Sequence, residues 1–114
     1  MAVLKNEFEA GAGSFFIKLR PGLEWDKAAI NQLTAAMKCC AEIKSNDTKL
    51  DRWLAEGFWF VPRFVREWTT HPNFPKVYSD EYYTKAFSQL DDLAYWYFMG
   101  QSPFENGKNF EELA

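Results

Sequence analysis

The feature that most constrains this chain is an apolar stripe at helical period that keeps its phase across a proline. From Leu50 onward, Trp53, Leu54, Gly57, Phe58, Val61, Phe64, Val65 and Trp68 fall on one face at about 100° per residue. Pro62 lies inside this run. It would cost about 3 kcal/mol in a regular helix, because it lacks an N–H and its ring crowds the carbonyl four residues back. The phase is the same on both sides, so two helical pieces are expected, joined by a kink or short break between Gly57 and Pro62. Pro62 then occupies the first turn of the second piece, where it is well tolerated. The segment His71-Pro72-Asn73-Phe74-Pro75 forbids further helix.

Two more segments read as helix. In residues 23–44, Ala29, Ile30, Ala36, Met37 and Cys40 fall within about 60° of Leu33 at a helical period. Cys40 is on this stripe and Cys39 is off it. Ser45-Asn46-Asp47 ends the helix and offers a cap for the next. In the third segment Ser79 is the expected N-cap, and Asp80 and Glu81 suit the positive end of the helix dipole. Its expected core face is Tyr83, Phe87, Leu90, Ala94 and Tyr97, with Ala86, Leu93 and Phe98 beside it. Gly100 stops the helix and Pro103 follows.

Residues 1–22 read as an arm, a short strand at Phe15–Leu19, or the start of a helix. Residues 101–114 read as a polar C-terminal tail with a short helix near Phe110. The expected fold is all-α: one domain over 1–114, a small bundle of three to five helices with an irregular N-terminal arm or short strand. A chain of 114 residues can bury roughly two-thirds of its unfolded surface. With 47% hydrophobic and 25% charged residues it has the balance of a globular protein.

Motifs that carry chemistry are not visible. The adjacent Cys39 and Cys40 do not make a disulfide scaffold, and one histidine, His71, does not complete a zinc site. Asp91 and Asp92 point about 100° apart on a helix, so they cannot share a proton as a dyad does. No phosphate loop or nucleophile–base pair appears. The expectation is a non-enzymatic protein without cofactor or metal. No run near residue 1 reads as a secretory signal and none approaches the length of a spanning helix, so a cytoplasmic protein with no membrane partner is expected.

Charge is uneven. Residues 79–114 hold two bases and seven acids, a net −5 within a chain of net −3. Direct nucleic-acid binding is therefore disfavoured. The helix face opposite the expected core carries Glu81, Lys85, Ser88, Asp92, Tyr95, Trp96 and Met99. Tyr, Trp and Met are enriched at interface centres. Either a partner or the chain's own tail, through Phe104 or Phe110, would cover them. Trp59, off its own stripe, raises the same question.

The run Asp-Asp-Leu-Ala-Tyr-Trp-Tyr-Phe-Met-Gly-Gln-Ser-Pro-Phe at 91–104 resembles small bacterial immunity proteins, such as those of contact-dependent growth inhibition systems. The resemblance covers the last third of the chain. It implies a cytoplasmic inhibitor that neutralises the toxic domain of a delivered effector, often a nuclease with a basic substrate groove. From charge and residue type, the expected partner-binding set is Asp91, Asp92, Tyr95, Trp96, Met99, Glu105, Glu111 and Glu112. These would plug the groove by imitating phosphate charge, or block it from beside. The alternative is a self-associating structural or regulatory subunit, phage-borne for instance: a homodimer that pairs Tyr95, Trp96 and Met99 across a two-fold axis.

Overall fold

A computed structural model describes residues 2–9, 15, 19, 24–104, 110 and 113. Its described secondary structure is entirely helical: α1 (Ala2–Phe8), α2 (Lys27–Lys44), α3 (Arg52–Thr69) and α4 (Asp80–Met99). The all-α bundle is thus the fold. Residues 2–8, which the sequence leaves open, are helix. Phe15 and Leu19 are helical and fully buried, so the short strand envisaged there is not formed at either position; residues 16–18 lie outside the described residues.

α2 begins at Asp26, whose carboxylate accepts the Ala29 N–H at 3.0 Å and so satisfies one free donor of the first turn. Its buried face is Ala29, Ile30, Leu33, Met37, Cys40 and Ala41, with Cys39 exposed. Ser45 closes the helix. Asp51, rather than the Ser45–Asp47 turn, is the N-cap residue of α3, and its side chain makes no capping bond. The Asp51 carboxylate instead lies 3.4 Å from Lys44 Nζ, which is also 3.7 Å from Asp47.

α3 corrects one expectation. It is one continuous helix of 18 residues with Pro62 inside it, not two pieces. Pro62 removes the bond to the Phe58 carbonyl, yet Leu54, Phe58, Val61 and Val65 are almost wholly buried on both sides of it. Each such side chain gains roughly 1.5–3 kcal/mol on burial, so the four together outweigh the ~3 kcal/mol cost of one proline. The stripe is also narrower than expected at its start. Leu50 and Trp53 are exposed, and Phe64 and Trp68 are half-buried.

α1 reaches this core through Phe8, whose ring meets Trp53 and Phe58 edge-on with centroids 6.1 and 6.0 Å apart. Gly57 permits the approach, since a Cβ there would stand 2.2 Å from the Phe8 ring. In the same last turn of α1, both oxygens of the buried Glu7 carboxylate accept the Phe15 N–H, at 2.9 and 2.8 Å.

α4 is the central helix, packed against both α2 and α3. A helix covered from two sides buries a wide arc, and its buried residues are Tyr82, Tyr83, Ala86, Gln89, Leu90, Leu93, Trp96 and Tyr97. Phe58 stacks on Tyr97 across α3 and α4, with centroids 4.3 Å apart. Trp25, before α2, donates its indole N–H to the Tyr82 hydroxyl at 2.7 Å. Ser79 caps the helix by accepting the Tyr82 N–H, as expected. Gly100 ends it in the left-handed conformation (φ 71°), its N–H bonded to the Trp96 carbonyl. A Cβ at Gly100 would come within 2.7 Å of the Ser45 carbonyl oxygen, so only glycine fits the point where the tail departs.

Candidate functional site

The expected partner-binding face of α4 comes apart into three groups. Tyr95 and Met99 are exposed, at 47% and 64%, and Phe98 beside them is exposed as well. At about 100° per residue, Asp91, Asp92, Tyr95 and Met99 share an arc of roughly 100° on the outer side of α4. This is the part of the set that the fold brings together.

Trp96 is a correction. It is only 8% exposed and belongs to the core. The buried arc of α4 is centred roughly 70° from the axis that the periodicity suggested, since Tyr82, Gln89 and Trp96 are buried on the flank that the stripe left to solvent. Phe104 then packs on Trp96 with centroids 6.0 Å apart, and Phe110 meets Phe104 edge-on at 5.7 Å. The tail is fastened farther on. Asn31 of α2 donates to the Leu113 carbonyl at 2.9 Å and accepts the Leu113 N–H at 2.8 Å. Of the two covers envisaged for Trp96, the chain's own tail is the one in place. A homodimer centred on Trp96 therefore loses its central ring.

The acidic part of the set is altered too. The Asp91 carboxylate is held at 2.6 Å by the Arg66 guanidinium of α3, so its charge is partly spent within the chain. Asp92 is half-buried. Glu105, Glu111 and Glu112 lie outside the described residues.

The sequence set missed the outer surface of α3. Trp59 and Phe60 are 56% and 49% exposed. Arg63 lies over the Trp59 ring, 4.5 Å from its centroid, and Phe60 heads a stack with Phe64 and Trp68. Trp59 was legible as a residue off the stripe. Phe60 is likewise off the stripe, but the sequence reading did not single it out.

The remaining candidates for chemistry are structural. His71 is exposed and its Nδ1 accepts the Asn73 N–H at 3.2 Å, a turn-forming contact. Burial pushes the Cys40 thiol up to about 11, which keeps it protonated and unreactive. Among the described residues, no three His, Cys, Asp or Glu side chains form a group able to hold a metal ion. No described helix is long and apolar enough to cross a membrane. Compared by sequence and by fold, the chain matches no protein-family model, and no curated protein or solved structure is significantly similar to it.

Proposed function

We propose that this chain is a non-catalytic protein inhibitor of the immunity type, which binds a cognate toxin domain, a nuclease, through the outer face of α4. The observation that carries the reading is the exposure of Tyr95, Phe98 and Met99 side by side on a helix whose opposite arc is fully buried. A contiguous aromatic and thioether surface is costly to leave in water and is typical of interface centres. Its charge context supports a basic partner. Asp91 and Asp92 flank the rings, and the last third of the chain is net −5. The Arg66–Asp91 pair limits how far the acids alone imitate phosphate, so the rings supply most of the affinity and the acids steer encounter.

The test has two stages. Affinity capture from the native host identifies a stoichiometric partner, and purified chain is then titrated against that partner's nucleic-acid cleavage. Inhibition that is complete at one equivalent is expected, with Tyr95→Ala requiring a large excess while retaining native helicity. A saturated partner that keeps full activity, or a Tyr95→Ala variant as potent as the parent chain, overturns the reading.

A further inference from the structure

The outer face of α3 carries a charge pattern that is complementary to itself when reversed. Arg52, Glu56, Trp59, Phe60, Arg63 and Glu67 lie on the solvent side of one uninterrupted helix, and all six are exposed. In chain order the face reads base, acid, two rings, base, acid. Set against a second copy running antiparallel, with the two-fold axis between Trp59 and Phe60, each Arg52 meets the other copy's Glu67 and each Glu56 meets the other copy's Arg63. The rings of Trp59 and Phe60 meet each other at the centre. A parallel two-fold pairing would instead set each charge against its own like. Arg52, Glu56 and Glu67 make no ion pair with any described residue, so their charges are available. Arg63 lies over the Trp59 ring, and a guanidinium can stack on an aromatic face while its edge binds a carboxylate.

We infer that the outer face of α3 is a homodimerisation surface, which pairs antiparallel with α3 of a second copy of this chain. The geometry suits the length of the element. Arg52 and Glu67 are separated by about 22 Å along a helix that rises about 1.5 Å per residue, so one helix–helix contact seats all four ion pairs. The continuity of α3 through Pro62 is what keeps the six residues on one face. An antiparallel isologous contact of this kind is closed and adds no further copies. It is also small. One helix face on each side lies below about 1,200 Å² of total buried surface, the range of weak, reversible association, so a dissociation constant of micromolar order is expected. The contact uses α3 and not Tyr95 or Met99, so it stands or falls separately from the proposed inhibitor role.

Sedimentation velocity on the full chain, from low to high micromolar concentration, reads the association. A shift from the 13.3 kDa monomer toward twice that mass is expected, weakening with added salt. Arg63→Glu sets like charges opposite each other twice and should weaken association at least about tenfold. The double variant Glu56→Arg with Arg63→Glu reverses both pairs and should restore association to within about threefold of the parent chain. Circular dichroism checks that the substitutions, all at exposed positions, leave the helices intact. A parent chain that stays monomeric up to about 0.5 mM overturns the inference. So does a dimer indifferent to Arg63→Glu, and so does a double variant that fails to recover.

Discussion

The side-chain amide of Asn31 and the main chain of Leu113 form a two-bond bridge, 2.9 and 2.8 Å, across 82 residues of sequence. Asn31 here stands in for a strand neighbour: its donor and its acceptor meet one acceptor and one donor of a single peptide segment. Phe110 and Phe104 lie between this bridge and Trp96, so the bond pair holds down the cover of a core tryptophan.

Asn31→Leu should therefore release the tail. Losing both bonds leaves the Leu113 groups to water, and the expected cost is about 1–3 kcal/mol of stability. Trp96 would also gain solvent. A red shift in tryptophan emission together with a lower denaturation midpoint checks this. A drop in stability without the spectral change would place the cost elsewhere than the tail.

Trp96 and its neighbour Tyr95 should separate stability from binding. Trp96→Ala removes a buried ring and should cost about 3 kcal/mol or more. Tyr95→Ala is expected to change stability by no more than about 0.5 kcal/mol. It should weaken the proposed partner complex by about 2 kcal/mol. Denaturant titration of the two variants, followed by calorimetric binding of Tyr95→Ala, distinguishes the roles.

Gly57→Ala sets two effects against each other. Alanine favours helix over glycine by about 1 kcal/mol. The new Cβ would meet the Phe8 ring at 2.2 Å, and displacing α1 from its seat should cost more, about 1–3 kcal/mol. Net destabilisation is expected, with faster amide exchange in residues 2–8. A more stable variant would show that Phe8 yields without cost.

Alkaline pH should unfold the chain. Burial raises the Cys40 thiol from 9.0 to about 11 and the Tyr97 hydroxyl from 10.0 to about 12, and pushes Tyr82 above 10.0. Folded pKa values above the unfolded ones mean that the unfolded chain loses these protons first. The stability they contribute is complete below about pH 9 and falls as pH rises through the folded values toward about 12. The loss is on the order of 2 kcal/mol for Cys40 at the top of that range, and Tyr97 adds to it in the same direction. Helicity followed from pH 8 to 12 checks the direction, and Cys40→Ala should move the onset upward. In the same protein at pH 8, a thiol reagent should modify the exposed Cys39 and spare Cys40.

How much of this was legible beforehand depends on how local the cause is. The ends of α4 at Ser79 and Gly100, the burial of Cys40 beside an exposed Cys39, and the break at Ser45 follow from contacts within a few residues. Those causes are capping, left-handed conformation and helical period, and all are written in the residues. So is the exposure of Tyr95 and Met99, which stand far from either reading of the core arc.

What only the tertiary structure decided involves a neighbour that the helix itself cannot announce. The sequence determined that the stripe from Leu50 to Trp68 and the segment 80–99 are amphipathic and helical in period, but periodicity locates one apolar stripe and not the number of helices that will cover it. α4 is flanked by both α2 and α3, so its buried arc widens and turns, taking Trp96 inward. The same burial on both sides of Pro62 overrode the local cost of proline and kept α3 whole. Propensity is a matter of one or a few kcal/mol per residue, whereas a face buried against another element sums many such terms. Wherever the two disagreed in this chain, packing prevailed.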